Sequence, residues 1–597
     1  MYSDANAESL ATRIKARYEL LCRRRQPWRN IWSLLSKYIL LRPFVMGAAN
    51  TIAKMPRFSV ADVSDDEVIE AARTSATALG GALWPHAGES FEFVPIRLPG
   101  QLSEFTGDLE ADDVKAYAES ATQITRDILD APETGFTLAW NEHLDEQPVF
   151  GTSGVYGEDR EDDDITPVQF SSITVEDTLI DEGADKLINT IYREFVYTPA
   201  QLAEKFGVNA LSPATREALK NTKDDTYVKV IQAIEPRPGG KKSTDVPVKE
   251  RAYRSVYLEV EACHVLKESG IDEMPAWVVR FRKRPNEIYG RSLGMDALPS
   301  VKELNILRSA FSKALGKQLD PPMGYYHEMI GGGGKVNTSM GARVPLYMSG
   351  RLPHGQKPIE PLFQVPEPRV ANERIEKLVE RIAKKFLIDR LLDFNNKTRM
   401  TLGEAELRND FRNQALGNIF ARQIGELLNP LIKWTFRTLY RRGFLGISEY
   451  EEEKIALLKE QGLEPLIIPR VIVDLMDRGI MPFAIRFISP AARAMKAESL
   501  LGLEKSTNYA FTFANAGMPE VMDNLDTDEA YREYHALSGA SSRTLRSPDK
   551  VKKVRRDRSN ALAKQQELAA AQVQADTGVK TTQAVKNLAS AEAANNG

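Results

Sequence analysis

Eight glycines and eight prolines crowd residues 320–370, the run Gly331 to Gly334 among them, and the sequence on either side turns strongly helical. Proline fixes φ and removes a backbone donor, and glycine has no preferred backbone well, so neither a long helix nor a broad sheet crosses such a tract. It must be turns and small strands, with Val344 to Met348 as one short apolar piece, carried between two helices. Before it, Ser300 and Glu303 form a capping box directly after Pro299 and open a helix with Leu304, Leu307, Phe311, Ala314 and Leu315 on one face; Asp320-Pro321-Pro322 stops it. After it, Asn372 caps a helix with apolar positions Ile375, Leu378, Val379, Ile382, Phe386 and Leu387 and the i,i+4 pair Glu373 and Lys377. Each helix has one apolar stripe that must be buried against neighbours.

Downstream the pattern breaks at Asp393 to Arg399, and a second capping box, Thr401 to Glu404, begins a long helical pattern through Phe411, Leu416, Phe420, Ile424, Leu427, Leu431, Trp434 and Leu439. Pro430 lies inside it, which predicts one kinked helix or two abutting ones, closed by Arg441, Arg442 and Gly443. The last hundred residues read as helical. Arg543 to Lys564 holds nine basic residues against two acids, and beyond Gln565 the chain is mostly Ala, Gln, Asn and Thr, a marginal helix or a disordered tail.

The first half mixes both periodicities. Glu8 to Leu41 carries helical spacing on both sides of Pro27 and reads as two helices; its nine basic residues from Arg13 to Arg42, against Glu19 alone, read first as a solvated face and second as a phosphate contact. Helices follow over Asp66 to Leu83 and Val114 to Leu129, with a strand at Phe91 to Ile96. Between Gly151 and Ile271 the runs Val168 to Ile173, Leu187 to Tyr197, Tyr227 to Ile234 and Tyr253 to Val265 are β-type, continued by Trp277 to Arg282. Helices and strands fall in separate blocks, which predicts an α+β, mainly helical chain and not a βαβ alternation. The acidic run Glu158 to Asp164 reads first as a solvated loop and only distantly as a metal site, because no ligand-spaced Gly follows it.

Several function classes are excluded or unsupported at this level. The 597 residues carry 79 Lys and Arg against 83 Asp and Glu, a net charge of -4 that argues against a uniformly basic nucleic-acid coat. Two cysteines, Cys22 and Cys263, and six scattered histidines give neither a disulfide framework nor a zinc spacing. No secretory pattern opens the chain and no apolar stretch approaches a membrane span, so the expected compartment is cytoplasm. The run beginning at Gly331 fails as a phosphate loop because Val336 stands where the magnesium-binding hydroxyl is needed and Met329 where the first glycine is needed. Around Ser153 the second glycine of a nucleophile elbow is missing. Cys263 and His264 are neighbours on a predicted strand and point to opposite faces, so Cys263 reads as a buried structural residue. Neither a catalytic constellation nor a cofactor site survives.

The block Tyr289-Gly290-Arg291-Ser292-x-Gly294-Met295-Asp296-Ala297-Leu298-Pro299, followed by Lys302, Leu304, Asn305 and then Asp320-Pro321-Pro322, resembles the portal (head-to-tail connector) proteins of short-tailed bacteriophages. The arginine and tryptophans near Arg25 and Trp32, the helix opening at Met400-Thr401-x-x-Glu404, and Leu428-x-Pro430-Leu431-Ile432 through Tyr440 to Gly443 are similar to that family in the same order, over roughly residues 8–560. The chain departs from it where a compact Trp-Phe pair is split, Trp84 and Phe91 standing apart across the intervening PHAGES.

The resemblance implies a ring of usually twelve copies at one capsid vertex of the virion, made in the host cytoplasm. Its central channel passes double-stranded DNA during packaging and ejection, and it docks the large terminase subunit, the capsid and scaffolding proteins, and then tail adaptors. Under it, residues 1–295 are a wing, 296–319 the first stem helix, 320–371 the clip, 372–392 the second stem helix, 393–401 a tunnel loop, 402–489 the kinked helix and the rest of the wing, 490–564 a helical crown, and 565–597 a tail. Asn395, Asn396, Lys397, Thr398 and Arg399 would line the DNA channel, and Lys552, Lys553, Arg555, Arg556 and Arg558 would face packaged DNA. Such a protein is a conduit and not an enzyme, binds no cofactor or metal and enters no membrane. The alternatives are a nucleic-acid-processing enzyme or motor subunit with an unrecognised site, and a scaffold or adaptor without a channel.

Overall fold

A computed structural model describes residues 4–41, 65–85, 90–96, 109, 111–160, 163, 165–220, 227–241, 246–327, 339–347, 359–362, 369–391, 416–461, 465–488, 490–538, 551–565, 581, 583–588 and 590. They divide into two compact units, one built from residues 1–91, 123–445 and 487–498 and the other from 92–122, 446–486 and 499–597.

The first unit opens with α1 (Asp4–Leu35), a single helix and not the predicted two. Pro27 removes one ladder bond, but its ring lies on the exposed side while Ile14, Tyr18, Leu21, Trp32 and Leu35 are buried before and after it. Burial at about 2 kcal/mol per large apolar side chain outweighs the loss. A π-turn, Ser36–Leu40, then ends the helix at Leu41 in the left-handed region. Helix α2 (Glu67–Leu83) matches its expected span. In the second unit, β1 (Phe91–Pro95) pairs with a late strand given below, and α3 (Asp112–Asp130) follows it in sequence.

Helix α4 (Phe136–Phe150), which no expectation covered, buries Phe136, Ala139, Trp140, His143 and Leu144. It leads into the β-rich part: β2 (Thr152–Asp159), β3 (Val168–Ile173), β4 (Thr178–Glu182), β5 (Ile188–Tyr197), β6 (Val228–Pro236), β7 (Tyr253–Glu259), β8 (His264–Ile271) and β9 (Ala276–Arg280). Two short helices, α5 (Pro199–Phe206) and α6 (Pro213–Lys220), stand between β5 and β6. The strands form a five-stranded sheet, β4-β5-β6-β7-β8, and a three-stranded one, β3-β2-β9, antiparallel throughout as the block arrangement predicts. The run expected from Tyr253 to Val265 is two strands, because Cys263 takes φ 50° and turns the chain between β7 and β8. Cys263 is therefore a half-buried turn residue at the margin of the core.

One face of the five-stranded sheet is covered by α1, through Ile14, Tyr18 and Leu21 on Leu179, Tyr192, Ile231, Val256 and Leu258. The other is covered by Leu202 and Phe206 of α5 with Leu211, packed on Val230, Tyr257 and Leu266. Four cations of the basic run of α1 are tied to acids of the sheet, while Arg23 and Arg29 are exposed as a solvated face predicts. Arg13 and Arg17 pair with Glu235, Arg17 and Arg24 with Asp181, and Arg25 is 2% exposed beside Glu194. The acidic run from Glu158 is likewise not all loop: Glu158 and Asp159 end β2, and Asp159 pairs with Arg442 at 2.6 Å.

Helix α7 (Leu293–Leu319) is the helix before the Gly/Pro tract, starting seven residues ahead of the predicted capping box. Ser292 is its N-cap, and Pro299 is accommodated on an exposed position. The tract holds β10 (Met323–His327), β11 (Arg343–Tyr347) and β12 (Ile359–Pro361) in one small sheet, as turn-and-strand chemistry requires; Gly331 to Gly334 lie outside the described residues. Helix α8 (Arg369–Lys385) begins three residues before Asn372, whose side chain donates to Glu376 instead of capping, and the short α9 (Ile388–Leu391) follows. Residues 416–423 are helical, Ile424–Leu428 form a π-turn, and α10 (Asn429–Arg441) closes on Gly443 at φ 75°; the expected kink at Pro430 is this π-turn. The opening at Thr401 to Glu404 lies outside the described residues.

The second unit continues with β13 (Ile447–Ser448), α11 (Glu452–Glu460), β14 (Ile467–Ile468), α12 (Arg470–Asp477) and β15 (Phe483–Phe487), the partner of β1. Helix α13 (Pro490–Asn515), which belongs to the second unit from residue 499, together with α14 (Thr527–Ser538) and helical residues 551–565 makes its late part helical, as the sequence predicts.

Candidate nucleic-acid interface

The helix pair α7 and α8 is positioned by the eleven-residue block from Tyr289 to Pro299, which leads into α7. Tyr289, first of the eleven-residue block, is buried against Trp28 and Trp32, with ring centroids at 5.9 and 5.1 Å, and burial pushes its phenol up to about 12. Trp32 donates from its indole to the Phe150 carbonyl at 3.3 Å. Gly290 donates to the Thr152 hydroxyl at 2.7 Å, and a Cβ there would lie 2.2 Å from the Gly151 carbonyl oxygen, so no side chain fits between the two backbones. Ser292 accepts from the Met295 amide at 2.9 Å and so caps α7. Asp296 pairs with Arg282 at 2.8 Å, and Ala297 is fully buried. The block is thus a seat: it fixes where α7 leaves the sheets.

From that seat α7 runs for 27 residues, about 40 Å at 1.5 Å per residue. Its first half is anchored. Leu293, Ala297, Val301 and Leu304 are buried, Arg308 reaches Asp65 at 2.8 Å, and α8 returns alongside through Arg374 to Glu303 at 2.7 Å and Lys385 to the Asp296 carbonyl. Beyond Arg308 the hold loosens: Leu315 is 41% and Leu319 79% exposed, and Val370 at the start of α8 is 82% exposed.

The expected channel residues Asn395, Asn396, Lys397, Thr398 and Arg399 lie outside the described residues, between α9 and the helix at 416–423. Where the described chain resumes, residues 422–426 are held by two polar networks that the sequence did not reveal. In one, a fully buried His143 receives the Ser153 hydroxyl at Nδ1, 2.9 Å away, and its Nε2 meets Gln423 Oε1 at 3.2 Å; Gln423 in turn donates to Gln147. Burial depresses His143 to about 4, so the ring is neutral, and a proton on Nε2 satisfies both contacts. The Ser–His pair has the distance of a nucleophile and base, but both side chains are 1% exposed and offer no approach to a substrate. In the other network, Arg280 links Glu182 of β4 to Glu426 of the π-turn, with Arg422 on the same carboxylate at 3.2 Å. The only sequence signal was an isolated His and Gln at helical positions, too common to single out.

Residues 551–565 place the second candidate set on one helix. Lys552, Lys553, Arg556 and Arg558 are exposed there, whereas Arg555 is committed: both its terminal nitrogens donate to the Asp528 carboxylate of α14 at 2.6 Å. The five positions are thus brought together, but one is directed at the protein. Among the described residues no cluster of His, Cys, Asp and Glu is arranged to hold a metal ion, and no helix is long and apolar enough to cross a membrane.

Comparison with known proteins gives one consistent result. A family profile described as "Bacteriophage head to tail connecting protein" matches residues 11–447 and 454–545. The chain is 27% identical over 409 residues to the "Portal protein" of Salmonella phage epsilon15, covering 66% of each chain. It is 24% identical over 579 residues to the "Probable portal protein" of Bordetella phage BPP-1, covering 95% of this chain and 94% of that one. A chain from the virion of a native gene transfer agent particle aligns over 68% of this chain and 99% of its own, at 12% identity and a TM-score of 0.25, too loose an overlay to inform on the fold.

Proposed function

The chain belongs to the bacteriophage head-to-tail connecting protein family, and from that premise we propose that its copies close into a ring at one capsid vertex, through which double-stranded DNA passes during packaging and ejection. The observation that carries this reading is the extent of the family match, which runs through both compact units and spans the chain from residue 11 to residue 545 save six positions. Ring closure by heterologous contacts explains why the outer half of α7 and the start of α8 keep apolar side chains in the open in a single copy. In this reading α7 and α8 are the stem, the Gly/Pro tract is the clip that meets a packaging terminase and later tail proteins, and residues 490–564 form the crown. Asn395, Asn396, Lys397, Thr398 and Arg399 line the channel, and Lys552, Lys553, Arg556 and Arg558 attract packaged DNA. The chain itself performs no catalysis; an ATP-driven partner supplies the work.

Native mass and negative-stain images of the purified chain test it. Twelve copies of 66.7 kDa total about 800 kDa and should show a central hole. A persistent monomer would overturn the ring. For the channel loop, replacing both Lys397 and Arg399 with Ala should impair packaging or DNA retention; unchanged packaging would remove them from the DNA path.

A further inference from the structure

The helix that re-enters the described structure at residue 416 does not run straight. Its π-turn, Ile424–Leu428, lets the Asn429 amide reach back to the Ile424 carbonyl, five residues away. The cause sits one residue on. In an unbroken α-helix the Pro430 ring would collide with the Glu426 carbonyl and offer it no N–H. A turn holding one residue more than the α ladder relieves that collision. It also rotates everything N-terminal to it by about 100°, the angle of one residue at 3.6 per turn.

Proline demands that the ladder open, but it does not determine the rotation at which the opened turn settles. Leu427 and Leu428 bury themselves fully, yet apolar burial is non-directional and tolerates small rotations. Hydrogen bonds do not tolerate them. Two such groups hold the turn. Gln423, 1% exposed, bonds His143 and Gln147 of α4. Glu426 accepts from the Arg280 amide at 3.1 Å, from the Arg280 guanidinium at 3.4 Å and from Arg422 at 3.2 Å, while Arg280 is itself held by Glu182. Between them, a Cβ on Gly425 would meet nothing within 4 Å, so the intervening position adds no restraint.

We propose that Gln423 and Glu426 are positioning residues: together they select one rotational setting of the π-turn and thereby aim the helix at residues 416–423. The consequence for DNA rests on the reading of residues 395–399 as the channel loop; the clamp does not.

Hydrogen exchange on the full-length assembled protein tests the clamp. With Gln423→Met and Glu426→Ala combined, exchange over residues 416–423 should accelerate tenfold or more while α10 beyond Leu431 keeps its protection. Gln423→Met with Glu426→Gln, which keeps an acceptor for Arg280, should recover part of it. Should the double variant fail to assemble, Gln423→Met alone should still accelerate residues 416–423 at least threefold. Unchanged exchange in whichever of these assembles overturns the proposal. DNA retention in particles carrying the same variants separates the two readings: faster exchange with reduced retention supports both, whereas faster exchange with full retention supports the clamp and overturns the channel role of residues 395–399.

Discussion

Two helices of this chain carry runs of cations that look alike in sequence, and the structure treats them in opposite ways. On α1 four arginines are paired with the fold while Arg23 and Arg29 are exposed: Arg13, Arg17, Arg24 and Arg25 meet Glu235, Asp181 and Glu194 of the five-stranded sheet. On the helix at 551–565 Lys553, Arg556 and Arg558 are exposed, and Arg555 alone has a bidentate carboxylate partner. A charge run therefore says nothing by itself about what it meets. The deciding acids stand more than 150 residues away, on β4, β5 and β6, whose side chains alternate between faces so that one face can present them to a helix. A helix whose cations meet acids of its own fold is scaffold; exposed cations are the ones a phosphate reaches without displacing a carboxylate.

The largest test of this contrast removes one acid on each side. Glu194 lies beside Arg25, both side chains 2% exposed, and also accepts the Tyr18 hydroxyl at 2.5 Å. Glu194→Ala should cost about 3–5 kcal/mol, because it leaves a buried guanidinium without its counter-charge. Chemical denaturation reads it as a lowered midpoint. Asp528→Ala, which frees the exposed Arg555, should leave the midpoint where it is. Equal losses would mean that the two helices are docked alike and would dissolve the comparison.

A second test uses pH and sharpens what inward means. The interior holds the His143 ring of α4 neutral, its burial depressing it from the ordinary 6.5 to about 4. Above 6.5 neither the folded nor the unfolded chain binds a proton there, and stability is complete. Between 6.5 and 4 only the unfolded chain does, so stability falls with falling pH, by up to about 3 kcal/mol for one group shifted this far. Asp177 acts in the opposite sense: burial, then Glu176 and Glu194, raise it to about 7, and its protonation in the folded state adds stability as pH falls below that. The His143 contribution is isolated by difference. His143→Gln, which keeps an amide within reach of Ser153 and Gln423, should lose less stability between pH 6.5 and pH 4 than the parent, and identical pH profiles would contradict the buried neutral ring.

What was legible in the sequence follows the same division between local and distant causes. The segregation of helix and strand, the stop at Asp320-Pro321-Pro322, the small strands of the Gly/Pro tract and the closure at Gly443 are set by neighbours in the chain, and all are found where expected. The block from Tyr289 was recognisable as a pattern, but its reasons are distant: Gly290 faces Gly151, and Tyr289 faces Trp28 and Trp32. Even the split pair is restored by the fold, with Trp84 and Phe91 rings 5.8 Å apart. Pro27 was read as a break because its local cost is visible and the burial that overrides it is not. The same holds for α7, whose true cap, Ser292, lacks the box that made Ser300 conspicuous. His143 with Gln423 and Arg280 with Glu426 were illegible, since each joins residues more than 140 apart.

The outward helix should behave as a phosphate-binding surface in the assembled protein. Neutralising Lys553, Arg556 and Arg558 to Gln should weaken DNA binding and flatten its dependence on log salt by about 0.9 for each phosphate no longer neutralised, so by as much as roughly 3 in slope. A smaller but retained affinity with an unchanged slope would mean that the three residues act through assembly and not through phosphates.

The smallest expected effect is the most discriminating. Arg13→Gln and Arg24→Gln remove two cations from α1 that are 58% and 48% exposed at the side chain, so on exposure alone they could reach DNA as readily as many binding residues do. Their guanidinium ends already meet Glu235 and Asp181 at 3.3 Å, however, and a phosphate would have to displace those carboxylates. Each pair is partly open to water, which limits its contribution to stability to at most about 1 kcal/mol. DNA affinity and salt slope should not move at all. A loss of DNA binding here would show that a paired arginine on α1 exchanges its carboxylate for phosphate, and the line between scaffold cation and binding cation would then have to be drawn by competition between anions and not by the resting ion pair.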